Sequence, residues 1–154
     1  MWVRLPPVQP ILKEEMNTKE IGDITQAVVV AELLKLGKTV LTPFGDKNRY
    51  DLVVDNNGVF VRIQCKTGRL GKDQSFVSFD SCSSTVHRAN GKKQNYRGQI
   101  ELFAVYCREL NQVYFVDVNE ATTYETRLRL IAPKSKQQKH IRWAKDYLEF
   151  TCKD

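Results

Sequence analysis

Apolar and polar positions recur with two different periods along this chain, and the change of period marks its elements. From Thr18 to about Leu36 the spacing is helical: Ile24, Ala27, Val28, Ala31 and Leu34 fall at i, i+3, i+4, i+7 and i+10. A second face carries Gln26, Val29, Val30 and Leu33, which leaves Thr25, Glu32 and Lys35 as the clearly polar positions. The pattern predicts a helix covered on most sides, with Gln26 directed inward, where an amide needs partners. Asn17 or Thr18 can cap its start, Glu20 and Asp23 suit its positive N-terminal end, and Gly37 is placed to stop it.

After Gly37 the period shortens to two. Strands are predicted at Thr39–Thr42, Tyr50–Asn56 and Val59–Lys66, the last two joined by Asn57-Gly58, a strong two-residue hairpin signal. Ser75–Phe79 and Tyr124–Ile131 are strand-like, and Gln99–Cys107 with Val113–Asp117 reads as a second hairpin turning near Leu110-Asn111. Trp143–Phe150 reads as a closing helix whose apolar face is Trp143, Tyr147 and Phe150. An α/β mixture of this kind needs a central sheet with helices packed on it. Residues 1–15, broken by Pro6, Pro7 and Pro10, stand outside the pattern as an appendage, and residues 16–154 make a single domain.

Composition removes several classes of function. With 42% hydrophobic and 27% charged residues over 154 positions, the chain is ordinary globular material. The apolar run Ala27–Ala31 is far short of the roughly 20 residues that span a bilayer, and residues 1–15 lack the apolar core of a signal peptide. A cytoplasmic protein is expected. Cys65, Cys82, Cys107 and Cys152 form no C-x-x-C pair, which argues for reduced thiols and against a zinc ribbon. His87 and His140 are isolated, Ser81, Ser83 and Ser84 form no nucleophile elbow, and no Walker or dinucleotide glycine pattern occurs.

Candidate chemistry lies on the first hairpin. With Asn57 and Gly58 as loop residues, Asn56 faces Val59, Val54 faces Val61, Leu52 faces Ile63 and Asp51 faces Gln64. Leu52, Val54, Val61, Ile63 and Cys65 then share an apolar face, and Asp51, Arg62, Gln64 and Lys66 share the other. Paired residues in such a ladder have Cβ atoms about 4.5–5.5 Å apart. The Asp51 carboxylate, the Gln64 amide oxygen and the Cys65 backbone carbonyl can converge on a hard cation such as Mg²⁺, with Lys66 beside them to orient water or neutralise phosphate charge. The same residues also suit the solvated face of an exposed hairpin.

The ordered set Gly22-Asp23-Ile24-Thr25-Gln26, Thr42-Pro43-Phe44-Gly45-Asp46, Arg49-Tyr50-Asp51-Leu52 and Arg62-Ile63-Gln64-Cys65-Lys66-Thr67-Gly68 resembles the PD-(D/E)XK nucleases. The similarity runs from residue 16 to about 118 and is strongest over 18–69, and it points to the branch holding a bacterial homing endonuclease encoded in a group I intron. The resemblance implies a restriction-endonuclease-like αβββαβ core, a mixed central sheet flanked by helices. It also implies Mg²⁺ dependence (with Ca²⁺ or Mn²⁺ as substitutes), double-stranded DNA as substrate, and a dimer or tetramer on the nucleoid of a bacterium. By this resemblance Asp51 is the metal-binding acid, Gln64 stands at the E/D position, Lys66 is the motif lysine, and Gln26 stands where these nucleases have a helix Glu. With amides at 26 and 64, Asp51 is expected to be the sole acid of the site. Losing one charge near a cation costs up to about 4 kcal/mol at ~4 Å and an effective dielectric of ~20.

The formal charge of +6 is unevenly spread. Between Lys66 and Arg97 stand Arg69, Lys72, Arg88, Lys92 and Lys93 against only Asp73 and Asp80, with Gln74, Ser75, His87, Asn90, Gln94, Asn95 and Tyr96 as polar groups for base edges. This stretch is the expected DNA contact. A second basic stretch, Arg127 to Lys145, contains no acid. The alternatives within this reading are a non-catalytic DNA-binding module of the same fold, a restriction enzyme and a junction resolvase.

Overall fold

Helix α1 (Thr18–Lys35) is opened by Asn17 through a reciprocal cap. Its Oδ1 accepts from the Glu20 amide and the Glu20 carboxylate accepts from the Asn17 amide, both at 2.9 Å. The helix ends before Gly37, whose φ of 73° lies in the left-handed region. The computed structural model describes residues 16–84, 92–133 and 139–152, so the appendage expected at 1–15 lies outside it. α1 is the only α-helix among the described residues, and no helix there is long and apolar enough to cross a membrane.

The buried line of α1 is Thr25, Val29 and Leu33, which corrects the expectation of a helix covered on most sides. Ile24 and Leu34 are 40% and 57% exposed, and Ala27 and Ala31 are exposed too. The helix meets one sheet along one contact line, and residues four apart follow that line. Thr25, expected to be polar surface, is buried because its hydroxyl shares a 2.7 Å hydrogen bond with that of Thr67.

Strands β1 (Thr39–Leu41), β2 (Leu52–Asn56) and β3 (Val59–Leu70) form an antiparallel meander with the expected register: Leu52 opposite Ile63, Val54 opposite Val61, Asn56 opposite Val59. Asn57 and Gly58 both take positive φ, as a turn matched to strand twist requires. β3 runs four residues beyond its expected end, to Leu70, and changes partners as it goes. Strands β4 (Phe76–Asp80), β5 (Cys82–Ser84), β6 (Lys93–Asn95), β7 (Leu102–Cys107), β8 (Gln112–Asp117) and β9 (Glu125–Arg129) follow. The main sheet runs β1-β2-β3-β4-β9, with β7 alongside β3 in parallel and β8 antiparallel to β7; β5 and β6 pair separately.

β7 is buried on both faces. Leu102, Ala104 and Tyr106 pack toward Val29 and Leu33 of α1, while Phe103, Val105 and Cys107 pack toward Val77, Phe79 and Leu128. The mixed α/β architecture expected for the fold is present. Between β4 and β7 the described residues hold the small β5·β6 sheet, not the second helix of an αβββαβ order. The closing helix is also corrected: only a 3-10 turn, Ala144–Tyr147, forms there. Trp143 is extended and bridges Arg129, so it does not share a helix face with Phe150, which packs edge-on to Phe115 at 5.4 Å.

Gly68 sits where β3 is closest to its neighbours. A Cβ there would lie 2.8 Å from a Val77 methyl and 3.0 Å from a Val105 methyl, both on stiff buried side chains. Gly68→Ala is therefore expected to cost about 1–3 kcal/mol, measured by chemical denaturation; an unchanged midpoint would show that the strands separate freely.

Candidate active site

β2 pairs with β3 only as far as Leu52 and Ile63, whereas β7 follows the opposite edge of β3 from Ile63 to Gly68. Past Ile63, β3 has thus lost its β2 partner. Asp51, the residue before β2, fills the gap with its side chain. Its Oδ2 accepts the Cys65 amide at 2.8 Å and Gln64 Nε2 at 2.6 Å, while its own amide donates to the Ile63 carbonyl at 2.9 Å. Burial pushes the Asp51 carboxyl above its ordinary value, opposed by the Cys65 amide, the Lys66 charge and the Gln64 amide.

Gln26 reaches the same place from α1. Half-buried, it lines an open cavity of about 220 Å³ together with Asp51, Tyr50 and residues of the loop between β1 and β2. Asp46 of that loop also lines the cavity, a second acid in its wall besides Asp51. The signal for Asp46 was present in the Thr42–Asp46 run just ahead of Asp51.

Lys66 lies outside the lining of that cavity but close enough for its charge to act on Asp51. Its ammonium donates to the Cys82 carbonyl and the Tyr96 hydroxyl, each at 3.3 Å. Arg62, expected on the same face, is committed elsewhere: it pairs with Glu101 at 2.5 Å. Burial works against the Glu101 charge, but the hydrogen bonds from Arg62 outweigh it and hold the carboxyl below its ordinary value. The Cys65 thiol is pushed up by burial and stays neutral, which leaves its backbone carbonyl as the atom suited to a cation.

The donor set suits a hard cation that keeps several waters. Asp51 Oδ1, the amide oxygens of Gln26 and Gln64, and the Cys65 carbonyl are all oxygen donors, and among the described residues the half-buried Asp51 carboxylate accepts hydrogen bonds from two neutral groups, the Gln64 amide and the Cys65 amide. Among the described residues no group of three His, Cys, Asp or Glu forms a harder cage.

The expected DNA-contact residues divide. Lys72 and Gln74 stand exposed in the turn between β3 and β4, and Lys92, Lys93, Gln94, Asn95 and Arg97 are exposed around β6. Arg69 is bound to Asp80 at 3.0 Å, and Ser75 donates to Asp73 while accepting from Arg129, which fixes the turn. Tyr96 is corrected: it is buried in the core, edge-on to Phe103, and is not open to bases. His87, Arg88 and Asn90 lie outside the described residues. In the second basic stretch Arg127 pairs with Glu125 and Arg142 donates to the Glu120 carbonyl, leaving Lys139 and Lys145 exposed.

Comparison with known proteins bears on the family and the fold. The family described as PD-(D/E)XK endonuclease matches the chain over residues 16–150. The solved structure of the bacterial homing endonuclease I-Ssp6803I is similar with a TM-score of 0.69 at 27% sequence identity, over 86% of this chain and 88% of that one. No curated protein matches the chain.

The raised Asp51 carboxyl makes a stability prediction. Its folded pKa lies above the unfolded one, so the ionised form costs stability at neutral pH, and that cost fades as pH falls and the group protonates in both states. Asp51→Asn, which keeps an acceptor for the Cys65 amide, is expected to melt higher than the parent chain at pH 7. The gap should narrow below about pH 4. Thermal melts at both pH values check this, and a lower-melting variant at pH 7 would contradict it.

Proposed function

The chain belongs to the PD-(D/E)XK endonuclease family, and on that premise we propose that it is a Mg²⁺-dependent, sequence-specific endonuclease that cuts both strands of duplex DNA in intron homing. Nucleases of this family generally use divalent metal ions and hydrolyse phosphodiester bonds. The observation that carries the reading is the convergence of Asp51, held by Gln64 and Cys65, with Gln26 on one open cavity. The likeness to a homing endonuclease supports the homing role.

Asp51, Gln26, Gln64 and the Cys65 carbonyl are the groups that would hold the metal, which when bound polarises the phosphate and acidifies water. Lys66 uses two of its three N–H donors on Cys82 and Tyr96 and keeps the third for a water or a phosphate oxygen. Its charge stabilises the negative charge that builds as the water oxygen bonds to phosphorus and the bond to the 3′-oxygen breaks. The attacking water gives up a proton to solvent, the 3′-oxygen takes one from solvent, and the other end keeps a 5′-phosphate. Exposed Lys72, Lys92 and Lys93 would hold the duplex by its phosphates, and Gln74 and Gln94 would read base edges. Two cuts call for two copies of the site, hence a symmetric dimer or tetramer.

One observation favours a second reading, a DNA-binding module without cleavage: the residue α1 directs at Asp51 is neutral Gln26. Incubating a plasmid library with Mg²⁺ separates the two. Nicking by the parent chain, raised roughly tenfold or more in Gln26→Glu by the added charge and abolished in Lys66→Ala with DNA binding retained, supports the nuclease. If neither the parent nor Gln26→Glu cuts more than Lys66→Ala does, the binding module replaces it.

A further inference from the structure

Lys66 makes no ion pair among the described residues; its two acceptors are a backbone carbonyl and a phenol. Both come from one place. Cys82 opens β5, and its register partner Asn95 closes β6 immediately before Tyr96. The strand that exposes Lys93 and Gln94 to solvent therefore also carries the anchor of the motif lysine.

That anchor is rigid. Tyr96 is 5% exposed and meets Phe103 edge-on at 5.4 Å and 86°. The Arg49 guanidinium lies 4.2 Å from the ring centroid. Arg49 is in turn tied to Gln99 at 2.6 Å, Ser83 at 2.7 Å and the Asn95 carbonyl at 3.1 Å, so it cannot swing away from the ring. Lys66 Nζ lies 4.8 Å from the same centroid. Two cations thus share one aromatic ring. A lysine on a strand has several rotatable bonds and loses about 2 kcal/mol of side-chain freedom when held in one pose. A buried hydroxyl that receives its ammonium offsets part of that loss before substrate binds.

We propose that Tyr96 is the positioning residue of Lys66: its hydroxyl sets the ammonium so that the one uncommitted N–H meets the scissile phosphate. The proposal rests on the nuclease reading of the site and assigns Tyr96 a task that core packing alone does not require. Packing needs only the ring; positioning needs the oxygen.

Tyr96→Phe separates the two, since it keeps the ring against Phe103 and Arg49 and removes only the acceptor, and Tyr96→Leu removes both. In lysine-labelled protein, the Lys66 ammonium NMR signal is expected to lose order in Tyr96→Phe while the melting temperature stays near that of the parent chain. The cleavage rate at saturating DNA is expected to fall roughly ten- to a hundredfold with KM unchanged. Equal Lys66 order in Tyr96→Phe and the parent overturns the proposal, as does a rise in KM at constant kcat, which would make Tyr96 a DNA contact. Should neither the parent chain nor Gln26→Glu cut DNA, the nuclease reading fails, and Lys66 order in Tyr96→Phe still decides the role of Tyr96.

Discussion

A single carboxylate replaces a missing strand, and the site depends on that substitution. Where β2 stops pairing with β3, the Cys65 amide would face a gap, and an unpaired amide in a half-buried position costs free energy comparable to a lost hydrogen bond. Asp51 closes the gap with one oxygen, Oδ2, which accepts both the Cys65 amide and the Gln64 amide. The same geometry that completes the ladder also buries a negative charge, and burial raises its pKa. A group that the fold holds at a cost, beside a cavity and next to a lysine, marks a candidate functional site.

Charge elsewhere in the molecule is handled differently. Arg62, Arg69 and Arg127 are each paired with a carboxylate, so these three guanidinium charges are offset within the fold. Lys66 is the contrast: among the described residues it is bound to neutral oxygens and set against an aromatic ring that also faces Arg49. Its positive charge is therefore available to a phosphate in a way that the arginine charges are not.

The hairpin was readable because its signals are local. Asn57-Gly58 determines the turn, the turn determines the register, and the register ends at Leu52 opposite Ile63, which leaves the Asp51 side chain beside Gln64. The helix was legible in extent for the same reason, since Asn17, Glu20 and Gly37 act within a few residues of themselves. Its buried face was not. Ile24 and Leu34 are apolar yet exposed, and Thr25 is polar yet buried, because the face is chosen by the sheet it meets and by a hydroxyl on Thr67 that is distant in sequence.

The amino-acid sequence by itself determined the α/β class and the hairpin register, because both are written in period and turn chemistry, and the register put Asp51 within reach of Gln64. Only the tertiary structure decided that β3 runs on to Leu70, that Asp46 shares the cavity of Asp51, that the C-terminal aromatics do not share a helix, and that Tyr96 turns inward to hold Lys66. These contacts join residues far apart along the chain. No local period encodes them, since each depends on which strand ends first and what then fills the space.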